Sequence, residues 1–150
     1  RSGNPSYYEP SEAMEEVRGF IEKWQNILGL SEWEISAEIV HSSKIHGGMG
    51  HSSWNTMSEK AIIEISFDCV DEHHGCELEE TVVHELLHVF FNRSYDLLVS
   101  RILAKNPEES IFEDLCAQFV EKAYENDIER LAKTFVTLQR VIELMAERSV

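Results

Sequence analysis

The stretch Thr81-Val82-Val83-His84-Glu85-Leu86-Leu87-His88-Val89-Phe90 decides how the chain is read. Laid on a helix it is apolar nearly all round, through Val82, Val83, Leu86, Leu87, Val89 and Phe90. A helix of that kind is buried. Two imidazoles and a carboxylate inside it therefore need partners, because an unpaired polar group in an apolar setting is costly. The predicted helix runs from about Glu77 to Asn92.

The spacing suggests what the partner is. His84 and His88 stand at i and i+4, on one face and one turn apart, so both imidazoles can reach one metal ion. Glu85 points about 100° further round the helix. That is too far for an easy third ligand but within reach of a water on the ion. A zinc ion acidifies such a water and a carboxylate takes its proton, which is the chemistry of metal-assisted hydrolysis. The bland alternative is a pair of core histidines bonded to Glu side chains. The aliphatic residues wrapped around the motif favour the metal.

Working outward, the upstream half reads as one helix and a small sheet. A helix from Ser11 to about Leu28 carries Met14, Val17, Phe20, Ile21, Trp24, Ile27 and Leu28 on one face, and Gly29 stops it. Trp33 to Val40 alternates, with Ile35, Ala37 and Ile39 opposite Glu34, Ser36 and Glu38, as a half-buried strand does. A glycine-rich stretch, His46-Gly47-Gly48-Met49-Gly50-His51, follows and is read as a hairpin loop or a flap. Two further strands are predicted over Met49–Trp54 and Lys60–Phe67, the last of them central. Downstream, Asn106-Pro107 marks a helix start, with that helix running to about Asn126 and another from Asp127 to Glu147. Ile128, Leu131, Phe135, Leu138, Ile142 and Met145 form the stripe of the last helix. The expected fold class is α+β, with a three-stranded, mostly antiparallel sheet, a buried active-site helix and two C-terminal helices.

The ten-residue block resembles the extended motif of the zincin metallopeptidases. That resemblance implies a ligand helix beneath a small sheet whose edge strand holds the substrate, and a third ligand downstream. The branch with a third His six residues after the second has Ser94 there, and Phe91 where its Gly belongs, so it does not apply; the three-His endoribonuclease pattern fails likewise. The gluzincin and ImmA/IrrE-type branch takes a Glu from a following helix, and small phage-type metallopeptidases are the nearest likeness. The candidates are Glu108, Glu109, Glu113 and Asp114. Projected at about 100° per residue, Glu113 falls on the inner face with Cys116 and Val120, and Asp114 on the outer. Glu113, 25 residues after His88, is the expected third ligand, with Glu109 in reserve or orienting an imidazole. Gluzincins often have an Asp four residues after that Glu, where this chain has Ala117.

Composition frames this reading. With 150 residues, 43% hydrophobic and 27% charged, the chain suits one domain over residues 11–150, behind an irregular tail at 1–10. A net charge of -15 repels phosphate and anionic lipid, so neither nucleic acid nor membrane is an expected partner. There is no apolar run of spanning length and no signal-peptide pattern. Three cysteines, Cys69, Cys76 and Cys116, argue against a disulfide framework and for a reducing, cytoplasmic setting. Cys69, His73, His74 and Cys76 lack a standard zinc spacing and read as a loop without metal.

The expected function is thus a Zn²⁺ peptidase acting on a peptide or protein. His84, His88 and Glu113 are the expected ligands and Glu85 the general base. Tyr95, Arg93, Tyr124, His46 and His51 are possible oxyanion stabilisers. The alternatives are a non-catalytic, metal-stabilised binding module and a metal-dependent hydrolase of a small-molecule amide or ester.

Overall fold

The computed structural model describes residues 10–71, 77–103 and 110–149. Helix α1 spans Pro10–Ile27, followed by strands β1 (Glu34–Val40), β2 (Gly50–Asn55) and β3 (Lys60–Ser66). A one-turn helix α2 (Phe67–Val70) leads to α3 (Leu78–Phe90), α4 (Asn92–Leu103) and α5 (Ser110–Arg148). The architecture is α+β, as the residue patterns predict.

The strands lie in the order β1-β3-β2. β3 takes the centre because Ala61, Ile63 and Ile65 are its buried side. β1 runs parallel to it and β2 antiparallel, so the sheet is mixed. β2 carries the chain back after β1, which lets β3 enter between them in the direction of β1. The hairpin between β2 and β3 turns on Asn55, whose Oδ1 accepts from the amides of Met57 (3.0 Å) and Ser58 (3.1 Å). This is a side chain standing in for a turn carbonyl.

Register decides which side chains face the helices. Ile35 pairs with Ala61 and Ala37 with Ile63; on the other edge Gly50 pairs with Ile65, Ser52 with Ile63 and Trp54 with Ala61. Residues opposite one another share a face. Gly50, Ser52 and Trp54 therefore look toward the helices, while Glu34, Ser36 and Glu38 are exposed to water.

α1 and α3 pack on the apolar face, and α5 packs on α3. Ala13, Val17, Ile21 and Trp24 are the buried stripe of α1, and Val82, Val83, Leu86, Leu87 and Val89 fill the middle of α3. Each large side chain buried here contributes about 1.5–3 kcal/mol. The start of α3 is latched at Glu79, which accepts from Trp24 Nε1 and Lys23 Nζ, both at 2.9 Å. Lys23 also reaches Glu143 of α5 at 2.9 Å.

Three local readings change. The last two predicted helices are one, α5, of 39 residues. Nothing at Asn126-Asp127 removes an amide or forces a left-handed turn, so the hydrogen-bond ladder runs through. Of its expected stripe, Ile128 is buried, but Leu138, Ile142 and Met145 are exposed, and Ala132 and Val136 are buried instead. Asn92–Leu103, unassigned from sequence, is helical. Cys69 is disulfide-bonded, a pairing that the reading against a disulfide framework did not anticipate. An odd cysteine count guarantees one unpaired sulfur but does not forbid one pair. The other two cysteines lie outside the described side chains. The tail at 1–9 also lies outside the described residues.

Candidate metal centre

α3 turns the imidazoles of His84 and His88 to one side, with their Nε2 atoms 3.2 Å apart. A carboxylate from α5 closes the group. Glu125 Oε2 lies 3.2 Å from His84 Nε2, and Oε1 lies 3.2 Å from His88 Nε2. One ligand atom from each of the three residues falls within 4.8 Å of the others. The packing sets this up: Ile128, Ala132 and Val136 hold α5 in the core, and Glu125 continues their stripe one turn upstream.

The donor set suits zinc. Ligand bonds of about 2.0–2.1 Å in a tetrahedral site separate neighbouring donors by about 3.3 Å, close to the 3.2 Å seen between each imidazole and its nearest partner atoms. Nitrogen and oxygen donors of this kind are zinc's usual ligands.

The charges of the group are strongly coupled. Hydrogen bonds from His84 and His88 hold the Glu125 carboxyl down to about 2, against the opposing effect of burial. Burial pulls the His84 imidazole down, but the Glu125 hydrogen bond and the charges of Glu85, Glu125 and Glu129 leave it raised.

Glu85 sits apart from the three, on the side of α3 facing β2. It is only 5% exposed. Burial raises its pKa, although His88, His84 and a hydrogen bond from Ser52 pull the other way. A carboxyl raised above its ordinary range holds a proton more readily, as a group that accepts and returns one must.

The cleft over the group has two arms that share Gly50, His84 and Glu85. One arm, of about 270 Å³, is also lined by Ser52, Trp54, His88, Tyr95 and Glu125. The other, of about 400 Å³, runs past Met49, Glu80, Thr81 and Glu129. The first arm follows β2, an edge strand, and the second meets it at Gly50. Among the possible oxyanion residues, Tyr95 and His51 line the first arm. The Tyr124 ring lies 5.6 Å from His88. Its hydroxyl is buried without a hydrogen-bond partner among the described residues, and its pKa is pushed up to about 12 by burial. Arg93 and His46 are exposed and line neither arm.

The structure thus brings together His84, Glu85 and His88 as their spacing predicts, but the carboxylate beside them is Glu125. Glu113 belongs to the same helix, 12 residues earlier, or about 18 Å along the axis at 1.5 Å per residue. Its side chain lies outside those described, as does that of Asp114. Glu108, Glu109, His73, His74 and Cys76 are outside the described residues. Glu125 had a sequence signal, an acid on the buried stripe of Ile128, Ala132 and Val136. Placing a helix boundary at Asn126 cut that stripe and hid it.

No family model matches the chain, and neither does any curated protein or solved structure.

Proposed function

We propose that the protein is a zinc-dependent peptidase in which His84, His88 and Glu125 hold the ion and Glu85 is the general base. The observation that carries this reading is the three-residue donor group with a buried carboxylate beside it. A bound zinc ion would supply the Lewis acidity that brings a water's pKa near neutrality. Glu85 accepts the water's proton on its carboxylate and later returns it to the leaving amine. Burial of Glu85 raises its proton affinity, which favours taking the water's proton. Tyr95 and His51, which line the first arm, are the candidates to donate toward a substrate carbonyl.

The zincin resemblance fits Glu125 better than Glu113. Where the resemblance implies an Asp four residues after the ligand Glu, Glu125 has Glu129, an acid one methylene longer, and Glu113 has Ala117. Glu129 is near enough to raise His84. The two-armed cleft along an edge strand favours an extended peptide over a small molecule in a closed pocket. The net charge of -15 disfavours nucleic acid and anionic membranes as partners. Among the described residues no helix is long and apolar enough to cross a membrane.

The test is hydrolysis of unfolded polypeptides by chelator-stripped and zinc-reloaded protein. Glu85→Gln should retain zinc and lose turnover by about 10²–10⁴-fold, the usual contribution of a general base. Unchanged turnover in Glu85→Gln, or full activity without metal, would sink the reading. A cytoplasmic setting is the second part of the proposal. It requires Cys69 to be reduced there, so alkylation of Cys69 in freshly lysed cells supports it and a persistent disulfide overturns it.

A further inference from the structure

We infer that Gly50 is a positioning residue for Glu85: the absence of a side chain at this point of β2 is what lets the Glu85 carboxylate occupy its place. This inference rests on the role proposed above for Glu85. β2 passes directly over α3, and Gly50 faces the helix. A Cβ built on Gly50 would lie 2.9 Å from both Cγ and Oε1 of Glu85 and 3.0 Å from Thr81 Cγ2. Ordinary contact begins at about 3.4 Å. Glu85 would therefore have to withdraw by about 0.5 Å or more.

The atoms in conflict decide what gives way. They are all side-chain atoms, the middle and the tip of Glu85 and a methyl of the stiffer Thr81, and none is backbone. Gly50 is not in the left-handed region, where an added side chain would strain the backbone. Alanine at 50 is thus compatible with the strand, and removing glycine from a strand favours folding. The three atoms nearest the added Cβ belong to Glu85 and Thr81, and none to a metal-site histidine. The substitution is thus expected to act first on Glu85 and Thr81 rather than on the donor group.

Ser52 works from the same strand. Two residues on and facing the same way, it is one of the groups that draw the Glu85 carboxyl down against burial. β2 therefore bounds the carboxylate by close approach at Gly50 and presents Ser52 on the same face. The same edge strand borders both arms of the cleft, so the surface along which a substrate lies is also the surface that sets the base.

The experiment compares wild type, Gly50→Ala, Glu85→Gln and the double variant, with Gly19→Ala as control, since nothing lies within 4 Å of a Cβ there. Gly50→Ala should keep the wild-type Tm and zinc affinity while kcat falls about tenfold to hundredfold, the scale of an ångström-level misplacement. KM should change little. In the Glu85→Gln background the same substitution should have no further effect on kcat, since a residue acting through another is silent once that other is gone. Carboxyl ¹³C NMR of the zinc-free protein gives a reading without catalysis: the Glu85 resonance, assigned by its loss in Glu85→Gln, should move in Gly50→Ala and stay in Gly19→Ala. An unmoved Glu85 resonance, or an equal loss of kcat in both backgrounds, overturns the inference. Should Glu85→Gln itself leave wild-type turnover intact, the peptidase reading fails, while the NMR arm still decides whether Gly50 places Glu85.

Discussion

Replacing Glu125 by Gln and Glu113 by Gln, one at a time, separates two accounts of the metal site. Glu125 reaches both imidazoles at 3.2 Å, whereas Glu113 is about 18 Å away along the same helix. Zinc bound by four ligands is held by about 10–16 kcal/mol in small structural domains, or about 2.5–4 kcal/mol per ligand if shared evenly. Loss of one ligand then weakens binding by about 10²–10³-fold. Glu125→Gln keeps a carbonyl oxygen and should fall near the lower end, Glu125→Ala near the upper. Glu113→Gln should change zinc affinity by less than about twofold, as expected of a site with no shared partner more than about 10 Å away. The assay is competition with a chromophoric chelator at fixed pH and salt. Stability without metal should hardly differ: the Glu125 side chain is 47% exposed, and solvent screens its ion pairs to at most about 1 kcal/mol. Zinc lost with Glu113 and kept without Glu125 would refute the assignment.

Three further outcomes follow from particular residues. Because His84 holds its proton above the ordinary value of 6.5, protons compete with metal there from above that pH downward, and zinc affinity should decline as pH falls through 7; an affinity flat from pH 7.5 to 6 counts against His84 as a ligand. Ile63→Ala should cost about 2–5 kcal/mol in urea unfolding, because Ile63 is fully buried, whereas its neighbour Ile62 is 41% exposed and its truncation should cost under about 1 kcal/mol; equal costs would mean the strand faces are misassigned. Trp24→Phe removes the Nε1 donor to Glu79 but keeps a ring in the core, so a loss of about 1–2 kcal/mol is expected, read as a lower urea midpoint; no change would show that Lys23 suffices for Glu79.

The parts legible in the sequence are those governed by short-range periodicity. The alternation of Ile35, Ala37 and Ile39, and of Ala61, Ile63 and Ile65, marks the strand faces because a strand has a period of two and one face meets the helices. The i, i+4 pair of His84 and His88 lies within one helix, so geometry alone brings it together. Glu125 was harder, because its place depends on α5 continuing through Asn126-Asp127 and on how α5 crosses α3. The first is a weak local preference, and the second is a tertiary fact with no local signature. The parallel pairing of β1 with β3 was hidden for the same reason, since register between strands separated by a third element is set by packing. The Cys69 disulfide shows the limit of counting: pairing depends on distance between sulfurs, which composition does not carry.

The distance in sequence between the two halves of the donor group has a mechanical consequence. Glu125 follows His88 by 37 residues, so an ion held by both would act as a removable cross-link between α3 and α5. By the chain-entropy relation used for covalent bridges, closing a loop of that length restricts the unfolded chain by about 4 kcal/mol at 25 °C. Chelation would then cut the tie that fixes the upstream part of α5 to the ligand helix, while Ile128, Ala132 and Val136 still anchor its middle. Metal loading would be felt along the helix as rigidity, before any substrate arrives.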